Sequence, residues 1–444
     1  MGILLGLALV LHVVSAIEFG FGTRVASATW FLTGQFIISL SLIRLYDGRW
    51  AFQDIRLFFV IFLFLYGGTL PLIVVSGLGG FQAGLVGAAA MYGTAFLAFN
   101  IVQWWYRQPF RDVPASTFGR IRPSFGNVLI LGGTFGLVLS YALAAGVTLA
   151  LSINRGGAEL LGTQLWVVMM FAMNGFVMYM VAGWSNLSRN ARIALVLSVF
   201  AFVIFQLTMG NRRDFLPMLV FIAGVAATRK RMVIGLGTVV TGAVLFSAFT
   251  AVGIVRQVLL DPGMLARVNP VQILVTQNEF VSPIFTLMHY VGADRPLRWG
   301  ATYFSAPALF VPRAFWPTKP ESLSLQFMRD AFGTTGLMGF AYTPVTEAFL
   351  NFSFVGPFAV FAILSLLLVK LVKDANLRPG LYFIAFALVV DFNRGDWGGT
   401  FYALTVVGGA YWFMSLVGRL RWAPKVRRTV WPPAATGSTM SPRA

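Results

Sequence analysis

Stretches of about 20 apolar residues recur from one end of this chain to the other, each long enough to cross a bilayer core of about 30 Å as a helix. Lipid offers no hydrogen bonds to a backbone, so such a chain folds into spanning helices or a closed barrel. A barrel would show short alternating segments instead. Composition agrees: 58% of residues are hydrophobic and 11% charged, against about 25% charged in soluble domains. The sequence therefore predicts an all-α polytopic membrane protein with about twelve transmembrane helices and a large outward-facing loop. The spans fall near 2–17, 27–43, 57–76, 82–105, 127–152, 163–184, 193–209, 214–228, 232–255, 346–369, 379–390 and 400–417. No composition break marks a soluble domain. Residues 1–428 read as one transmembrane domain that includes the external loop 256–346, and 429–444 as a disordered cytoplasmic tail. The first span has no basic leader or small-residue cleavage site, and is expected to be retained as a membrane helix.

The net charge of +18 is first a matter of topology, because Lys and Arg collect in cytoplasmic loops. With the N-terminus inside, the basic groups at Arg44–Arg56, Arg107–Arg122, Arg189–Arg192, Arg229–Arg231, Lys370–Arg378 and beyond Arg419 all fall on the cytoplasmic side. Both termini are then cytoplasmic and the long loop is outside. No soluble basic domain exists, which argues against nucleic acid as a partner. The chain has no cysteine, so neither disulfides nor thiolate metal sites arise. P-loop, HExxH and Gly-x-Ser-x-Gly motifs are also absent, and no cofactor or metal is expected.

The loop is too rich in Phe, Leu, Trp and Tyr to be disordered, and reads as a folded cap over a site. Two spans, near 214–228 and 379–390, are short for the bilayer, at roughly 21 and 18 Å of helix. Each meets a polar cluster, Gly210-Asn211-Arg212-Arg213-Asp214 or Asp391-Phe392-Asn393-Arg394-Gly395-Asp396. Arginines at membrane depth usually face a cavity or a partner. Surface ion pairs on mismatched helices are the plainer alternative. On the first view Arg212, Arg213, Arg256, Arg313 and Arg394 clamp an anion in an outward cavity, because guanidinium groups match phosphate oxygens. A lipid-bound sugar diphosphate is the natural anion at that depth and carries its own leaving group. Stabilising the charge that develops on it would then be the main catalytic effect. An attacking sugar hydroxyl needs a general base, and Glu279, His289, Glu347 and Asp214 are the candidates. Each also has a plain structural reading; Glu347 and Asp214, for instance, open helices, where the macrodipole alone favours a carboxylate. Trp299, Tyr303, Trp316 and Tyr342 offer aromatic faces to a glycan.

The segment Val311-Pro312-Arg313-Ala314-Phe315-Trp316-Pro317-Thr318-Lys319-Pro320, then Glu347-Ala348-Phe349-Leu350-Asn351-Phe352 and Gly356, resembles the Wzy-type oligosaccharide repeat-unit polymerases of bacterial inner membranes. That family often shows Pro-Arg…Trp-Pro…Lys-Pro in its outer loop and Glu…Asn-Phe-Gly…Gly at the next span. Here Ser353 stands where the first of those glycines is usual. The likeness is concentrated in about a third of the chain, residues 210–352. It implies a GT-C-like glycosyltransferase of the O-antigen or exopolysaccharide type. Such an enzyme moves a growing glycan from undecaprenyl diphosphate onto a new lipid-linked repeat unit, without nucleotide sugar or obligatory metal. Its partners would be the lipid-linked glycan, membrane lipid, a chain-length regulator and a flippase. Carried across, Arg313 and Lys319 join the diphosphate-binding set, and Glu347 and Asn351 the catalytic and glycan-binding sets. A lipid-linked oligosaccharide flippase and an O-antigen ligase-type transferase are the competing readings.

Overall fold

The computed structural model describes residues 2–21, 23–78, 80, 82–144, 163–208, 212–230, 232–235, 237–242, 280–293, 295–311, 315–333 and 341–419. Among them the chain is helical, with a single isolated bridge between Ala51 and Val233. Eight helices precede the long loop: α1 (Gly2–Phe21), α2 (Arg24–Asp47), α3 (Ile55–Val75), α4 (Leu85–Tyr106), α5 (Phe125–Ala144), α6 (Thr163–Ala182), α7 (Arg189–Thr208) and α8 (Arg212–Lys230). The loop holds α9 (Ser282–Val291), α10 (Ala301–Phe304) and α11 (Leu323–Phe332). After it come α12 (Pro344–Phe352), α13 (Val355–Asp374), α14 (Pro379–Arg394) and α15 (Trp397–Arg419). Seven of the described helices are long and apolar enough to cross a membrane: α1, α2, α3, α4, α7, α13 and α15. The chain is an all-α membrane protein.

Three expected spans change shape. The span expected at 346–369 is two helices, because Ser353 breaks the rod between α12 and α13. Glu347 therefore sits on a short separate helix and not on a membrane span. The stretch expected to be short at 214–228 runs over Arg212–Lys230, 19 residues, or roughly 28 Å. Arg and Asp are tolerated in a first helical turn, so the polar cluster extends this helix instead of stopping it. The second short stretch does stay short, at 16 residues for α14, roughly 24 Å. Parts of the spans near 127–152 and 232–255, and the whole tail 429–444, lie outside the described residues.

Polar anchors fix the two ends of the bundle. At the first end Arg56 is fully buried and donates to Asp54 (2.7 Å), Asp47 (2.9 Å) and the Gln108 carbonyl (2.6 Å). Asp54 also caps α3, accepting from the Arg56 N–H at 2.9 Å. The Tyr382 hydroxyl of α14 donates to the Gln53 carbonyl there (2.6 Å). Arg49 pairs with Asp112, and the Arg44 guanidinium lies over the Trp50 ring. The basic loops that the charge pattern grouped together thus meet at one end. At the other end α14 and α15 are joined by Gly395-Asp396 alone, and the loop helices dock.

The cap is part of the core. Val281, just before α9, and Ile284, Leu287 and Met288 within it are buried in the main apolar core with residues of α3 and α4. Gly84, at φ +81°, permits this contact: a Cβ there would lie 2.3 Å from the Met288 carbonyl oxygen. A second apolar cluster of Tyr290, Leu323, Phe327, Tyr342 and Leu350 ties α9, α11 and α12 together.

Candidate active site

A cavity of about 800 Å³ opens at this second end. Its wall is built from five pieces of chain, one of them contributing only Phe171 of α6. Arg298, Ala301, Thr302 and Ser305 come from the α10 region, and Lys319, Glu321 and Gln326 from the stretch leading into α11. Glu347 comes from α12, and Asp396, Gly398, Gly399 and Tyr402 from the start of α15.

Glu347 is the most closely held group in this wall, and its side chain is almost wholly buried. Thr343 caps α12 by accepting the Thr346 N–H (3.1 Å), and Pro344 begins the helix without an N–H to satisfy. This start turns Glu347 toward the cavity. The Thr302 hydroxyl donates to its Oε1 at 2.6 Å, and the Trp397 N–H to its Oε2 at 2.6 Å. Asn351, one turn further along α12, donates to the Thr302 oxygen (2.7 Å) and the Glu347 carbonyl (2.8 Å). Its Oδ1 accepts from the Gly300 N–H (2.9 Å), and its backbone carbonyl from the Trp299 N–H (3.1 Å). One asparagine thus fixes both the turn that presents Thr302 and the threonine itself.

Burial is the largest influence on Glu347, and the neighbouring Asp396 adds to it. Together they push its carboxyl up to about 7, against the opposing pull of the Thr302 hydroxyl, the Trp397 N–H and Arg298. Asp396 caps α15, accepting the Gly399 N–H at 2.7 Å. Arg298 donates to Gln326 Oε1 at 2.5 Å. The Lys319 ammonium is buried and donates to the Val311 carbonyl at 2.8 Å, which holds the Trp-Pro-Thr-Lys-Pro strap against the cavity.

The expected site is brought together only in part. Glu347 and Lys319 line the cavity, and Asn351 orders it from behind. His289 does not line it: its ring packs edge-on against Tyr290 and Phe327. Burial and Arg295 hold this histidine below its ordinary range, with Asp330 opposing. Tyr342 is buried in the cluster between α9 and α12 and is not a glycan face. Trp316 is partly exposed on the strap, outside the lining. Arg394 ends α14 and is also outside it. Arg212, Arg213 and Asp214 form the first turn of α8, but their side chains, like the whole of Arg256, Glu279 and Arg313, lie outside the described residues. Of the five arginines expected to clamp an anion only Arg394 has a described side chain, and it lies outside this lining. The cavity presents the carboxylates Glu321, Glu347 and Asp396 with the cations Arg298 and Lys319.

Arg298, Thr302 and Tyr402 escaped the sequence reading, and Asp396 stood in an expected polar cluster but was given no role of its own. Asp396 carried a signal, since an Asp just before an apolar span is a helix cap. Thr302 and Tyr402 carried none, because only the fold brings the loop beside α15. No protein-family model, no curated protein and no solved structure matches the chain.

Proposed function

We propose that the chain is a membrane glycosyltransferase that polymerises lipid-diphosphate-linked oligosaccharide repeat units, with Glu347 as its general base. The observation that carries this reading is the buried Glu347, held at both oxygens on the wall of a large cavity and poised to exchange a proton near neutral pH. A positioned carboxylate of this kind suits removal of a proton from an acceptor hydroxyl. The acceptor oxygen then forms a bond to the anomeric carbon of the donor sugar, and the bond from that carbon to the phosphate oxygen breaks. The lipid diphosphate leaves with the electron pair, and Arg298 and Lys319 stabilise its charge. The resemblance of the Lys319 and Glu347 segments to repeat-unit polymerases supports the same reaction. In this reading undecaprenyl diphosphate is the carrier, and the chain has a GT-C-like architecture with about twelve crossings of a bacterial inner membrane. The cavity faces the periplasm and both termini the cytoplasm. A chain-length regulator and a flippase are its proposed partners.

The test is reconstitution in liposomes with a lipid-linked repeat unit and no nucleotide. A ladder of products is expected from the natural chain, and only the single unit from Glu347→Gln. Movement of the labelled lipid between leaflets without a ladder would replace this reading with that of a flippase. Transfer of finished glycan to a different acceptor would make the protein a ligase.

A further inference from the structure

Short helix α10 has two unlike faces. Ala301 and Thr302, with Ser305 just beyond, line the cavity, whereas Phe304 turns away and is 86% exposed. Trp299, immediately before the helix, is 74% exposed and holds a left-handed φ of +48°. Side chains this large and apolar are rarely left in water as a contiguous group.

The neighbours of this group show what covers it. The Trp299 N–H donates to the Asn351 carbonyl at 3.1 Å, which fixes the segment to the end of α12. A Cβ added at Gly300 would lie 3.5 Å from both the Phe304 and Phe352 rings, so these rings converge on one point. The Tyr303 ring is stacked with that of Phe352, with centroids 6.4 Å apart. Phe354 and Val355 follow at once, 59% and 68% exposed. Val355 is the first residue of a helix long and apolar enough to cross a membrane, which sets its exposed side chain where such a helix enters the bilayer. Phe352 thus joins the exposed surface of Trp299 and Phe304 to the stretch that opens α13.

We infer that α10, although it belongs to the loop and not to a span, is seated in the interfacial layer of the bilayer, with Trp299 and Phe304 inserted among the lipids. Tryptophan suits this layer, where one edge of the ring is wet and the other apolar. The cavity wall is then a partition one short helix thick between the bilayer and Glu347. A lipid-anchored molecule reaches the level of the cavity without leaving the membrane.

The absence of cysteine from the chain gives a clean test that does not depend on any enzymatic turnover. Single-cysteine variants Phe304→Cys, Trp299→Cys and Val355→Cys of the full chain would carry a nitroxide label in phosphatidylcholine–phosphatidylglycerol vesicles. Collisional relaxation by oxygen, which concentrates in lipid, would be compared with relaxation by an aqueous nickel chelate. Oxygen-dominated relaxation is expected at 304 and 299, at a depth within one helical turn of 355. Nickel-dominated relaxation at 304 and 299, with 355 still oxygen-dominated, would overturn the inference. Dipolar broadening between labels at 304 would also overturn it, by showing a second copy on this surface.

Discussion

Glu347 owes its proposed chemistry to three contacts that sequence distance conceals. Thr302 and the Trp397 N–H stabilise its charged form, while burial and Asp396 oppose it, burial most strongly. The result lies above the ordinary carboxylate range, at about 7. A base must be deprotonated, so transfer is expected to rise with pH on a limb centred near 7. Asp396→Asn keeps a capping side chain on α15 but removes the charge that raises Glu347. The limb should therefore move to lower pH in that variant, and an unmoved limb would exclude Glu347 as its source. The same group acts on stability in the opposite sense. Its folded value exceeds its unfolded one, so its contribution is fully present below about 4.5 and is lost as pH rises through about 7.

At the scale of elements the junction between α12 and α13 sets the site, because it lets α12 turn away from the spanning rod. Ser353 adopts φ +55° and ψ −146° there, a region occupied almost only by glycine and strained by about 1–3 kcal/mol for other residues. Three residues on, Gly356 packs against the preceding helix, and a Cβ would come within 2.0 Å of the Ala348 carbonyl oxygen. The two positions should thus respond oppositely. Ser353→Gly is expected to stabilise by about 1 kcal/mol after the extra chain entropy of glycine is subtracted. Gly356→Ala must separate α12 from α13 and is expected to destabilise by about 1–3 kcal/mol. Thermal unfolding in detergent checks both. Equal melting temperatures across the series would mean that the junction relaxes freely.

At the scale of the whole molecule a buried ion cluster holds one end and the cavity occupies the other, with α14 running between them. Arg56 has no exposed side-chain surface and satisfies two carboxylates there. Removing one partner of a buried set leaves the others uncompensated, at a cost of about 3–5 kcal/mol. Arg56→Ala is therefore expected to lose folded protein in detergent, while the double change Arg56→Leu with Asp54→Asn recovers part of it. A single variant as stable as the natural chain would show that the cluster carries no structural weight.

Some of this was legible in the residues alone. Runs of apolar residues dictate helices in lipid, since no other open structure satisfies the backbone, and the all-α membrane class follows from that requirement. The spacing of Arg and Lys between the runs likewise foretold which loops would gather at one end. Glu347 stood out because a carboxylate is conspicuous at the start of an apolar span, whereas Lys319 and Asn351 entered only through the family resemblance. The rest was decided in three dimensions. His289 and Tyr342 resemble site residues by type, yet packing turns them into an apolar cluster. Asp396 and Thr302 matter because of a contact across the loop, and the break at Ser353 is marked only by the resemblance, which has a glycine there, and not by the serine itself. Period and polarity act along the chain and fix its helices. The proton affinity of Glu347 depends on which atoms lie within a few ångströms of it, and only the tertiary structure decides that.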